Sequence, residues 1–252
     1  MGIIETEGIV TREVKYGDNG RIITLITKDL GKISVLASRS RLGKSGLLVA
    51  SQLFCYAGYT LFKSGEKSLY KINEASVIES FQPLRESLDR MAYASYFCEV
   101  AQMIVQENNP EPNQLSLLLN TLYLLCKTET DFPRLKGVYE LRTLLIGGAA
   151  PDLLTCAGCG EGENVTALSI REGVGYCPSC QTAHKDVIAL NRAVRTAILY
   201  ILHADAKKIF SFQLSPDATR YLSILGERLL TQFLGKEPPT LSYLRQITDL
   251  DT

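Results

Sequence analysis

Four cysteines in the second half of the chain fall into two Cys-x-x-Cys pairs, Cys156/Cys159 and Cys177/Cys180, with seventeen residues between the pairs. Each pair can close a tight knuckle. Two knuckles offer four thiolates at the corners of a tetrahedron, the ligand set of one structural zinc ion. Ala157, Gly158 and Gly160 suit the turn after the first cysteine, and Pro178 and Ser179 suit the second. Between the pairs, Val165–Ile170 and Val174–Tyr176 are short apolar runs joined by Arg171-Glu172-Gly173, the pattern of a small hairpin. The module therefore reads as a four-cysteine zinc ribbon spanning residues 154–184.

Two disulfides or a thioredoxin-type redox pair are the competing readings. The chain opens without a signal-peptide pattern, so a reducing compartment is expected. A redox Cys-x-x-Cys follows a strand and opens a helix, and neither pair is expected to do so. Four thiolates make a closed site, which holds structure and leaves no open position for chemistry. His184, four residues past Cys180, is expected to lie in solvent.

The chain has 252 residues, 46% hydrophobic and 21% charged, the profile of a globular protein of two or three domains. No apolar run approaches the twenty residues of a membrane span. Cys55, Cys98 and Cys126 sit in apolar surroundings and read as buried free thiols. Net charge is zero, which argues against a protein that coats nucleic acid over its whole surface. From Arg12 to Lys71, however, there are eleven Lys/Arg and four Asp/Glu, so one basic face is expected.

Residues 1–80 read as β structure. Ile4–Val14, Arg21–Thr27 and Lys32–Ala37 are strand-like, separated by the turn signals Gly17-Asp18-Asn19-Gly20 and Lys28-Asp29-Leu30-Gly31. Ser51–Lys63 and Ser68–Glu79 complete five strands, with a polar excursion over Ser38–Gly46. This pattern predicts a five-stranded OB-fold barrel; an SH3-like barrel has a similar strand count and stays open. From residue 81 the period is helical. Pro83, Pro112 and Pro133 each mark a helix start, Asn191 is a candidate N-cap, and Ser215-Pro216-Asp217 begins another helix that stops at Gly235. The fold class is α+β: a barrel domain at 1–80, then a helical domain at 81–252 with the ribbon inserted.

Leu42-Gly43-Lys44-Ser45 has the end of a phosphate-binding loop, but Ser38 stands where its first glycine belongs, and no helix is expected after Lys44. Arg39, Arg41 and Lys44 place three cations and no acid in Ser38–Gly46. Together with Arg12, Lys15, Arg21 and Lys32 on the same barrel they suit a phosphate-tracking surface; a solvated loop is the plain alternative. Tyr16, Phe54, Tyr56, Tyr59, Phe62 and Tyr70 supply aromatics, and any left exposed could stack on a base. His184 and His203 have no neighbouring nucleophile or acid pattern, and no acidic cluster marks a magnesium site.

The order of parts, with Glu7-Gly8-Ile9-Val10, Ile22-Ile23-Thr24-Leu25, Thr27–Lys32, Ser40-Arg41-Leu42-Gly43, Tyr139–Arg142 and Gly148–Leu153 running into Cys156-Ala157-Gly158-Cys159-Gly160, resembles the RecO family of bacterial recombination mediators over nearly the whole chain. The resemblance implies a non-catalytic DNA repair protein of the RecFOR pathway, cytoplasmic and associated with the bacterial nucleoid. It implies binding of single- and double-stranded DNA through the barrel and annealing of complementary strands. It also implies contact with RecR and with the C-terminal tail of the single-strand-binding protein SSB, and help in loading RecA. Arg134, Lys136 and Arg142 on the third helix are candidates for that acidic tail, against the alternative of an ordinary exposed helix face. A zinc-ribbon nucleic-acid enzyme such as a nuclease, or a protein-binding scaffold, are the readings from other classes.

Overall fold

The computed structural model describes residues 2–17, 20–38, 45–65, 68–127 and 131–250. Five strands close a barrel: β1 (Gly2–Tyr16), β2 (Gly20–Thr27), β3 (Gly31–Ser38), β4 (Tyr56–Lys63) and β5 (Tyr70–Glu79). Their order is β1-β2-β3-β5-β4, with β1 pairing back onto β4. All pairs are antiparallel except β3–β5, which meet in parallel at Val35↔Tyr70 and Leu36↔Lys71. A short helix, α1 (Ser45–Ala50), lies in sequence between β3 and β4. This is the OB arrangement, which decides between the two barrel types that strand counting left open.

β1 can serve two neighbours because it is long and carries a register break between Val10 and Arg12. Alternate residues point inward: Val10, Ile23, Leu25, Val35, Leu61 and Ile72 join one buried core, and Leu47 and Ala50 of α1 belong to it. The Tyr59 hydroxyl donates to the Ala50 carbonyl at 2.6 Å, so the buried phenol is satisfied at the α1 end.

Pro83 does not open the long helix that follows. It lies in a 3₁₀ turn, Gln82–Arg85, and the helix α2 (Leu88–Ile104) starts one turn later with Ser87 accepting from the Arg90 N–H. α2 fastens the barrel: Lys32 Nζ donates to the Gln102 carbonyl at 2.6 Å, and Gln102 Nε2 donates to the Thr11 carbonyl at 3.2 Å. Gly31, at φ +67°, lets the β2–β3 turn approach; a Cβ there would lie 2.5 Å from the Asn109 carbonyl oxygen. α3 (Pro112–Leu125) and α8 (Pro239–Leu250) also pack on α2. The Thr240 N–H and hydroxyl both donate to Glu99 Oε2, at 2.7 and 2.5 Å.

Contacts divide the chain into two compact units, Met1–Thr128 with Pro238–Thr252, and Glu129–Glu237. The strand-to-helix change near residue 80 therefore falls inside the first unit, whose last helix comes from the far end of the chain.

The second unit contains α4 (Phe132–Ile146), β6 (Asp152–Cys156), β7 (Ala167–Ser169), β8 (Val174–Tyr176), α5 (Pro178–Gln181), β9 (Val187–Ala189), α6 (Arg192–His203) and α7 (Pro216–Leu234). The strands form a four-stranded sheet in the order β6-β8-β7-β9, with β7 and β8 antiparallel as the expected hairpin. α4 and α7 come close because glycines stand at the crossing: a Cβ on Gly137 would lie 3.2 Å from Leu222 Cγ. Among the described residues, no helix is long and apolar enough to cross a membrane.

Candidate functional site

The four knuckle cysteines converge. Cys156 ends β6, Cys159 lies in the turn after it, Cys177 follows β8 and Cys180 lies in α5. Their sulfurs all lie within 4.8 Å of one another. Cys159 Sγ and Cys177 Sγ are 3.8 Å apart, nearly twice a disulfide bond of about 2.05 Å. A tetrahedral ion with metal–sulfur bonds of about 2.3 Å has sulfur–sulfur edges of about 3.8 Å, so the spacing fits one four-thiolate metal ion. The crossing of the knuckles explains Gly158, where a Cβ would meet Cys180 Sγ at 2.9 Å.

The electrostatics agree with the geometry. The Cys177 N–H donates to Cys156 Sγ at 3.3 Å. That bond, ahead of any other influence, pulls the Cys156 thiol down to about 6. Cys180 is pushed up to about 12, first by sharing its proton with Cys177 and then with Cys159 and Cys156. Four thiolates held this close need a cation, because each added negative charge resists the next.

Two local expectations need correction. The second Cys-x-x-Cys does follow a strand and open a helix: Cys177 succeeds β8 and is the N-cap of α5. α5 has only four residues, and its thiols face the other pair, so the resemblance to a redox motif goes no further. His184 does not lie open; its ring stacks on Tyr176 with centroids 4.0 Å apart.

The residue that sequence reasoning missed is Arg195 on α6. Its guanidinium donates to the carbonyls of Leu153, Leu154, Gly162 and Glu163 at 2.7–3.3 Å. Those carbonyls flank the first knuckle on both sides, so one side chain closes the base of the loop that carries Cys156 and Cys159. An arginine in an amphipathic helix gives no sequence signal of this role.

On the barrel, most of the acids lie away from Lys15 and Lys71. The ends of β1 and β3 and the starts of β2 and β5 gather at one end, because Tyr16 faces Gly20, Gly20 faces Ser38, and Leu36 faces Lys71. Lys15 and Lys71 are exposed there, and Lys63 lies over the Tyr70 ring at 4.6 Å. Arg12 is exposed farther along β1. Arg21 is half-buried and paired with Glu13 at 2.7 Å. Arg39, Arg41 and Lys44 lie outside the described residues, though a helix, α1, does follow them. Lys32, grouped with these cations on sequence, instead holds the end of α2 as described above. On another part of the barrel, Glu5, Glu7, Asp29 and Glu74 line a cavity of about 520 Å³ with Lys28.

The three cations expected on an exposed helix face are engaged inside the second unit. Lys136 is 5% exposed, its ammonium between Glu140 Oε1 at 2.8 Å and Glu227 Oε2 at 2.7 Å. Arg142 donates to the carbonyls of Ile201, Leu202 and Ala204 at the end of α6, and burial lowers its pKa. Arg134 donates to the Phe212 carbonyl and lies over the Phe212 ring. α4 is buried on most sides, so its polar residues face neighbours.

Comparison with known proteins covers both halves of the chain. The family "Recombination protein O N terminal" matches residues 1–81, and "Recombination protein O C terminal" matches residues 85–242. The chain is similar to the DNA repair protein RecO of Acetivibrio thermocellus, 33% identical over 248 residues and 98% of each chain. It is similar to that of Alkaliphilus metalliredigens at 31% over 233 residues, 92% of each chain. A more distant counterpart from Clostridium perfringens is 25% identical over 99% of this chain and the whole of the relative. With both family halves matched in order and relatives aligned end to end, the chain belongs to the RecO family of DNA repair proteins.

Proposed function

We propose that this protein is a recombination mediator of the RecFOR pathway that works by binding rather than by catalysis. The cationic end of the barrel takes single- and double-stranded DNA. The observation that carries the reading is the placement of charge on a closed OB barrel in a RecO-family chain: Lys15, Lys71 and Ser38, the last residue of β3, share one end, and acids line another part. Cations there neutralise phosphates and release counterions, which lets two complementary strands lie together with less repulsion and speeds annealing. Arg12, Lys15, Arg21, Arg39, Arg41 and Lys44 are the contacts of this reading. Lys32 drops out of it, since its ammonium is already bound to α2.

The four cysteines hold one zinc ion, chosen over other metals because a tetrahedral four-thiolate site suits it. Bound zinc supplies four bonds that lock the knuckles; Cys177 N–H and Arg195 hold the same loops in place from the protein side. With RecR, the protein helps load RecA onto SSB-coated single strands in the cytoplasm, close to the nucleoid. Lys136 is paired with two carboxylates and is not available to the acidic SSB tail, whereas Arg134 and Arg142 donate to carbonyls and keep their charge.

Replacing Arg39, Arg41 and Lys44 together by Ala tests the reading. DNA affinity should fall, and the slope of log affinity against log salt should flatten by about 0.7 per lost phosphate contact on single strands. Unchanged affinity and slope would remove the segment from the DNA surface. A magnesium-dependent assay on labelled DNA separates this reading from a nuclease, since a mediator leaves the strand intact.

A further inference from the structure

The four converging thiols are not equally protected. Cys156 and Cys177 are buried, at 2% and 6% exposure, and Cys180 is half-buried. Cys159 is the exposed one, in the run Ala157–Glu161 that lies open to solvent throughout. The backbone adds to the difference. The Cys177 N–H donates to Cys156 Sγ at 3.3 Å, and the N–H groups of Gly158 and Cys159 hold the same sulfur. Gly158 lies over Cys180, where a Cβ would stand 2.9 Å from Sγ. Cys159 has the Glu161 N–H as its amide partner and no comparable cover. Across the knuckles, Cys177 Sγ is 3.8 Å from Cys159 Sγ.

We propose that Cys159 is a modification site: hydroperoxides oxidise its thiolate ahead of the other three, and the metal is released as a result. The proposal rests on the reading of the four cysteines as a zinc site and adds which of them gives way. Metal ligands are all held as thiolates, so charge does not rank them and access does. The reaction takes place at sulfur, so a closed coordination shell is no obstacle to it. The oxidant is a small neutral peroxide, because Glu161 and Glu163 beside the exposed turn repel an anionic one.

The Cys159 thiolate attacks an oxygen of the hydroperoxide. A sulfur–oxygen bond forms, the oxygen–oxygen bond breaks, and hydroxide or alkoxide leaves; sulfur gives up two electrons and the peroxide accepts them. The Cys177 thiolate then attacks the Cys159 sulfur. An S–S bond replaces the S–O bond, and a hydroxide leaves. Two of the four thiolates are then spent, and the remaining pair cannot complete a tetrahedral site. Oxidation thereby unclamps both knuckles at once.

The test treats the zinc-loaded full chain with hydrogen peroxide in the presence of a metal-binding dye and of dimedone, which traps sulfenic acids, and maps the adducts by peptide mass spectrometry. At early times the label on Cys159 should exceed that on Cys156, Cys177 or Cys180 by about fivefold, with metal release rising in step. Without dimedone a Cys159–Cys177 disulfide should form, and a thiol reductant with added zinc should restore the site. Label that reaches another of the four first, a disulfide that omits Cys159, or metal released while Cys159 is unmodified would overturn the proposal and leave the zinc site standing. A full chain that takes up no zinc would overturn the zinc reading, and the proposal with it. Cys126 is half-buried and lies outside the cluster, so a Cys126→Ser background should give the same release curve. Release that disappears with Cys126 would move the sensitive thiol away from the metal site.

Discussion

The barrel and the cysteine ribbon are both small β structures, but different forces hold them. The barrel closes on itself, fills its interior with aliphatic side chains from every strand, and is plugged by Leu47 and Ala50. The ribbon has three strands of three residues and one of five, too short to build a core of that kind. It is held by converging thiols and by one guanidinium on four carbonyls. A barrel stabilised from within can leave its outside to a ligand. A ribbon that depends on its polar groups has committed them to itself.

The largest effect that sharpens this contrast is loss of the metal. Cys156→Ser removes the thiol that the Cys177 N–H holds most strongly as a thiolate, and structural zinc contributes on the order of 10 kcal/mol in small zinc domains. Metal content should drop from one ion per chain to nearly none, and the second unit should melt early in a thermal scan. A variant that keeps its metal, or loses it with no change in melting, would make the ribbon as self-sufficient as the barrel.

Lys136→Met comes next. It takes away the ammonium shared by Glu140 and Glu227, at a cost of about 3–5 kcal/mol for breaking a buried pair, read by chemical denaturation. DNA affinity should stay the same; a specific loss of SSB-tail binding with full stability would restore Lys136 as a contact residue. Gly31→Ala should cost at least about 1–3 kcal/mol, because a left-handed backbone and a carbonyl 2.5 Å from the new Cβ both oppose it. Arg195→Gln should destabilise the ribbon by about 2 kcal/mol and speed metal release to a chelator, while leaving the barrel unaffected.

The sequence and the structure agree most closely where residue type dictates geometry. Cysteine spacing marked the ribbon because two Cys-x-x-Cys pairs bring four thiols to one point, and the turns at Gly17 and Gly31 marked the barrel strands because both glycines take positive φ. Agreement fails where a residue's role depends on what folds against it. Pro83 and Ser87 are both helix-start signals four residues apart, and only the local path shows that the first belongs to a 3₁₀ turn. On α4, nine of the residues from Leu135 to Leu144 are buried, so the helix has no apolar stripe to contrast with its charges, and Lys136 looked like surface. Lys32 and Arg195 failed for the same reason: carbonyl partners 70 and 32–42 residues away leave no trace in local sequence. Tyr16 was one of six aromatics until strand register placed it opposite a glycine.

In the proposed division of labour, the barrel carries DNA and the cysteine ribbon carries structure. A salt titration of oligo-dT binding separates the two roles, with the intact protein, Cys156→Ser and Arg12→Gln/Lys15→Gln compared below the melting point of each. Log affinity should fall linearly with log salt for the intact protein. Cys156→Ser should follow the same line, and the double variant should lie lower with a slope reduced by about 1.4. Binding that is lost with Cys156 and untouched by the barrel substitutions would move the DNA surface from the barrel to the ribbon.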